Sequence, residues 1–179
     1  MSDEKIISQT KKWITDVVVG CNFCPFAARE VKRGSIQYVV LHDAIMPIVR
    51  ASLTQALKEL DNNSGVETTL LIIPTGIENF DDYLDLLADA EGFLATKGYE
   101  GIYQLASFHP EYLFAGASAS DPANYTNRSP YPMLHLLREA SVSKAVDSHP
   151  DIDAIPSTNI RFANEQGLVF MKQLLASCM

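Results

Sequence analysis

Residues 67–73, Glu-Thr-Thr-Leu-Leu-Ile-Ile, constrain this chain more than any other stretch. The run is rich in β-branched and apolar side chains on both alternating faces, and Pro74 and Gly76 stop it. A strand apolar on both sides needs cover on both sides, so the run predicts a central strand between layers. Two weaker strands accompany it, Ser-Ile-Gln-Tyr-Val-Val-Leu at 35–41 and Gly-Ile-Tyr-Gln-Leu-Ala-Ser-Phe at 101–108.

Helical periodicity fills the spaces between them. Ile6, Trp13, Ile14, Val17 and Val18 share a face over 3–19, with Gly20 expected as a left-handed C-terminal cap. Asp43 is expected to cap a helix over 44–60, with Pro47 in its first turn, where amides lack partners anyway. Asn79 opens a helix that Gly98 ends, and Asp81 and Asp82 suit its positive N-terminus. Ser129 followed by Pro130 reads as the start of a further helix. His149-Pro150 begins a loop, and a last helix runs from Ser157 to about Cys178, with Gly167 weakening it.

The order α-β-α-β-α-β-α-α predicts an α/β fold: a small, mostly parallel sheet of three to four strands packed with helices. A fourth strand is placed at 112–118, and the alternative is a ferredoxin-like α+β arrangement. The 179 residues suit one domain, 1–179, and 47% hydrophobic against 20% charged residues marks an ordinary globular chain. A net charge of −8 argues against nucleic-acid binding, which needs clustered Lys and Arg. No apolar run approaches membrane-spanning length and the N-terminus lacks a signal-peptide core, so a cytoplasmic protein with free thiols is expected.

Parallel strands would bring His42, Pro74-Thr75-Gly76 and Ser107-Phe108-His109 to one edge, where open α/β sheets bind ligands. A long loop at 109–128 lies beside that edge, and long ordered loops are usually functional. His109, held extended by Pro110, suits proton transfer near neutral pH. Arg128, Asn127 and Ser129 precede the expected helix, whose amides would favour an anion, with Asn124 and Ser107 nearby and Tyr125 and Tyr131 as walls. His135, Arg138 and Glu139 fall at i, i+3 and i+4 on that helix. No HExxH motif or paired Cys-His set occurs, so no metal site is expected and no cofactor is identified.

Three functions follow. The first is a hydrolase or group transferase for a small anionic metabolite bearing carboxylate or phosphate, with His109 as acid or base and Cys24 as nucleophile. The second is a thiol redox protein using Cys24 with Cys21, from the Cys21-Asn22-Phe23-Cys24-Pro25 motif. The third is a non-catalytic ligand-binding or structural protein in which the polar residues only staple the loop.

Three motifs together carry a family likeness: Cys24–Ala27 (CPFA), Ala106–Gly116 (ASFHPEYLFAG) and Asn124–Glu139 (NYTNRSPYPMLHLLRE). In order and spacing along nearly the whole chain they resemble a bacterial family of unknown function, the domain numbered fourteen-fifteen. The resemblance implies a small bacterial cytoplasmic protein and carries no activity. It implies Cys24, more than Cys21, as the thiol of interest, and His109, Asn124, Asn127, Arg128, His135, Arg138 and Glu139 as one cluster.

Overall fold

In the computed structural model, which describes residues 1–148 and 154–179, the central run does become a fully buried strand. The order is α1 (Asp3–Trp13), a π-helical continuation (Ile14–Val19), α2 (Ala27–Arg33), β1 (Ile36–Val40), α3 (Met46–Asn62) and β2 (Thr68–Ile72). Then come α4 (Phe80–Thr96), β3 (Tyr103–Phe108), a 3-10 turn (Pro122–Thr126), β4 (Met133–Arg138), α5 (Glu139–Ser148) and α6 (Ile155–Ala176). The expected loop residues His149 and Pro150 lie outside the described residues. Among the described residues no helix is long and apolar enough to cross a membrane.

The sheet is mixed, with strand order β1-β2-β4-β3. This corrects the expectation of a mostly parallel sheet: β1 and β2 are parallel, while β4 is antiparallel to both β2 and β3. The cause is Met133–Arg138, read from its Ser-Pro start signal as a helix. Met133, Leu134 and Leu136 are fully buried in a strand between β2 and β3. A short apolar run on both faces satisfies either period, and pairing on both sides decides for strand. Ser129 does not cap a helix; its Oγ donates to Tyr131 O at 2.6 Å, closing a turn into β4. The fourth strand thus comes from 133–138, and 112–118 forms none.

Two cores cover the two faces. Leu71, Ile73, Leu134 and Leu136 pack with Leu53 and Leu57 of α3 and Tyr83 and Leu94 of α4. Leu70, Ile72 and Met133 pack on the other face with Ile6, Trp13, Val17 and Met171. Alternate residues of β2 and β4 therefore feed opposite layers, as a doubly covered strand requires.

Several helix ends differ from expectation. Gly20 is right-handed at φ −61, and Asn22 takes the left-handed turn at φ 55. Gly20 is needed for a different reason: a Cβ there would stand 2.2 Å from Asp16 O across the wide π turn. The helix after β1 starts at Met46 behind Ile45, without a side-chain cap from Asp43. Asn79 caps as expected, accepting from Asp81 N at 2.8 Å, and Gly167 breaks the line of α6 at φ 79.

Candidate functional site

Because β4 alone runs backwards, β1, β2 and β3 still share one direction, and their C-terminal ends still share one edge. His42, Pro74–Gly76 and His109 leave the sheet there, and Pro130–Pro132 re-enter it. Thr75 Oγ1 donates to His42 O at 3.0 Å, tying two of the exits together. Between the β2 exit and the re-entry lies a hollow of about 310 Å³, walled by Pro74, Ile77, Pro110 and Tyr131. Glu78 and Glu111 line it, and among the described residues no Lys, Arg or His does. One Glu78 carboxylate oxygen accepts from Gly76 N at 3.1 Å. Its field is acidic.

His109 sits behind this wall, 0% exposed. Its Nδ1 accepts from Glu111 N at 3.0 Å, so the ring proton resides on Nε2, which donates to Ile77 O at 3.2 Å. Phe80 and Tyr83 of α4 flank the ring at 5.3 and 5.1 Å between centroids. Burial pushes the pKa below the ordinary histidine value. Both nitrogens are taken by backbone groups, so the ring clips the β3 exit to the β2 exit as a neutral group.

The loop residues behave alike. Asn124, 0% exposed, accepts from Phe114 N at 3.0 Å and donates to Ser118 O at 2.9 Å. Asn127 Nδ2 donates to Ser107 O at 3.3 Å, and Asn127 O accepts from His109 N at 3.3 Å. Trp13 Nε1 donates to Arg128 O at 3.0 Å, locking the loop to α1. Arg128 donates through Nε to Tyr112 O at 3.1 Å and through Nη2 to Ala119 O at 3.2 Å, with its guanidinium 4.6 Å from the Tyr125 ring centroid. Among the described residues no carboxylate pairs with Arg128.

His135, Arg138 and Glu139 do not share a helix face. His135 lies on the α1/α6 side of β4, its Nε2 2.6 Å from Thr68 Oγ1, whose own proton goes to Leu136 O at 2.5 Å. Arg138 points the other way, at the opposite end of the sheet from the hollow. There its Nη2 donates to Leu60 O at 2.5 Å and Val66 O at 3.0 Å, and its Nη1 to Tyr103 OH at 3.2 Å. Tyr99 and Tyr103 both donate to the Asp61 carboxylate at 2.8 Å. Glu139 opens α5 beside them, its N donating to Ile102 O at 3.0 Å. The expected cluster of seven therefore divides. His109, Asn124, Asn127 and Arg128 gather at the strand exits, His135 bonds Thr68 on the α1/α6 face, Arg138 joins a network with Tyr103 at the far end, and Glu139 bonds Ile102 through its backbone.

Burial lowers the His135 pKa to about 4. The unfolded chain then binds the proton more readily than the folded one, so stability is complete above pH ~6.5 and falls as pH drops towards 4. The loss reaches ~2–3 kcal/mol over that window, since the ring keeps a partial opening to water. Denaturant melts of wild type and His135→Gln at pH 7, 5.5 and 4.5 check this: the variant is expected to show the shallower pH slope.

Cys21 and Cys24 are both free and half-buried in the turn after the π-helical segment. Burial pushes the Cys21 thiol up, away from thiolate character. No hydrogen bond or ion pair joins Cys24 to His109 or Arg128 among the described residues. Cys21 and Phe23 pack in the α1/α6 layer, whereas the His109 ring packs on α4. Among the described residues no group of three or more His, Cys, Asp or Glu side chains is placed to hold a metal ion.

Glu78 and Glu111 were not singled out from the sequence. Both follow strand exits within a few residues, and the rule that marked His109 reaches them equally.

No curated protein and no solved structure matches this chain. The family model described as a protein of unknown function (DUF1415) matches residues 5–173, nearly its whole length, and the chain belongs to that family.

Proposed function

We propose that this chain binds a small molecule in the hollow at the strand exits, with a cationic group of the ligand facing Glu78 and Glu111. The observation that carries this reading is a concave site at the sheet's C-terminal edge whose charged side chains, among the described residues, are the carboxylates of Glu78 and Glu111. The polar residues around it are its frame: His109, Asn124 and Asn127 spend their hydrogen-bonding groups on loop backbone. Charge-assisted contacts to the two carboxylates would set orientation, with Tyr131 and the prolines supplying apolar area.

A second reading is favoured by one observation. Arg128 has no carboxylate partner among the described residues, and its Nη1 makes no hydrogen bond there. An anionic metabolite held by Arg128, undergoing hydrolysis or group transfer, fits that charge.

A thermal-shift comparison of ammonium- and guanidinium-bearing metabolites with carboxylates and phosphates separates the two. The first reading expects cations to raise Tm, with Glu111→Gln or Glu78→Gln weakening binding about tenfold. Stabilisation by anions alone, unchanged in those variants and lost in Arg128→Gln, would replace it with the second.

A further inference from the structure

The two edges of the sheet are finished differently. In β3 the register with β4, continued by Glu139 N donating to Ile102 O at 3.0 Å, turns Tyr103, Leu105 and Ser107 outward. That edge is tied down at its two ends. Tyr103 N donates to Tyr99 O at 3.0 Å, Ser107 O accepts from Asn127 Nδ2 at 3.3 Å, and His109 N donates to Asn127 O at 3.3 Å. The long loop is thus bonded to the C-terminal end of β3 through Asn127.

β1 has no such ties among the described residues. Thr68 N donates to Ser35 O at 3.4 Å and Leu41 N donates to Ile72 O at 2.8 Å, so the odd residues of the strand turn to β2. Ile36, Tyr38 and Val40 turn their N–H and C=O groups outward, and among the described residues nothing accepts from or donates to them. The strand Ile-Gln-Tyr-Val-Val has no charge, proline or glycine. Edges are ordinarily blunted by one of these or by a bulge, and an open one is a template for another strand.

We propose that β1 pairs antiparallel with β1 of a second copy of this chain, across a two-fold axis at Tyr38, joining two sheets into one. The outward residues lie symmetrically about Tyr38. In this register Tyr38 exchanges both its bonds with Tyr38 of the partner subunit, and Ile36 does so with Val40 of the partner subunit. Every outward group is satisfied, and a shift by two residues leaves one unpaired. A second copy presents the same edge, so the pairing is self-complementary and closes on itself.

A single strand pair falls short of the roughly 1,000 Å² a specific interface needs. Exposed apolar side chains supply more area at both ends of the strand: Val31 before it (39% exposed), Ile45 after it (58% exposed) and Ile48. An antiparallel joint brings the start of one β1 to the end of the other. The proposal does not depend on what fills the hollow, which lies at the strand exits.

Sedimentation velocity of the full chain over a wide concentration range, with residue-resolved amide exchange at both extremes, tests it. The expected result is a concentration-dependent dimer in which the Ile36, Tyr38 and Val40 amides become at least about tenfold more protected. Val40→Pro removes an N–H that β2 does not use and is expected to leave a folded monomer. A chain monomeric at every concentration, or a dimer whose three amides exchange as fast as in the monomer, would overturn the proposal. If Val40→Pro fails to fold, the wild-type exchange data decide alone.

Discussion

Replacing His109 with alanine is expected to lower the stability of this protein by about 3 to 4 kcal/mol. The ring is fully buried between Phe80 and Tyr83, so its loss leaves a cavity against two aromatic side chains. It also strands the Ile77 carbonyl and the Glu111 amide, each bonded to one ring nitrogen. A histidine retained for proton transfer behaves in the opposite way, because its removal relieves a poorly satisfied group and costs little stability. Urea titration at pH 7 measures the difference. A change under ~1 kcal/mol would mean the ring is not the clip described here.

The second large effect is expected at Asn124. Alanine there removes the buried amide that bonds half-buried Phe114 N and Ser118 O and unties the loop at both points, at a cost of about 1 to 3 kcal/mol. Aspartate keeps the acceptor for Phe114 N, loses the donor to Ser118 O and buries a charge. Its carboxyl pKa is expected to rise in the folded state, so Asn124→Asp should be badly destabilised at pH 7 and recover as pH falls. Proteolysis within 109–128, slow in wild type and fast in both variants at pH 7, would report that the loop has come off the sheet. Protease resistance in Asn124→Ala equal to wild type would contradict the role assigned to it.

Much of the fold was legible because it rests on local pattern. The doubly apolar 67–73 run, the Asn79 cap and the amphipathic face over 3–19 each reflect a periodicity or end signal that the residues carry themselves. What escaped was β4. Met133–Arg138 follows a serine and a proline placed as at a helix start, and its leucines fit helical spacing as well as strand alternation. Pairing with β2 on one side and β3 on the other settles the matter, and neither neighbour is encoded within those six residues.

The same contrast holds at the site. The strand-exit edge survived the error in topology because the inserted strand reverses and leaves the other three aligned. The seven-residue cluster did not survive whole, since β4 alternates faces and runs away from the exits towards Arg138. The chemistry of His109, Asn124 and Asn127 was plain from residue type. That they turn inward to loop carbonyls and amides depends on the path of the chain from 110 to 128, which no local rule supplies. Gly20 makes a smaller version of this point: its requirement comes from the oxygen of Asp16 in a π turn, a geometry its neighbours do not announce.

His109, Asn124 and Asn127 form a frame at the strand exits, bonded to the backbone around them. Nitrogen-detected NMR of the His109 ring tests it most directly. The expected result is the neutral Nε2–H tautomer at pH 7, with any titration displaced below the ordinary histidine value. A midpoint near 6.5, or a proton on Nδ1, would show a ring free to exchange protons and would contradict the frame.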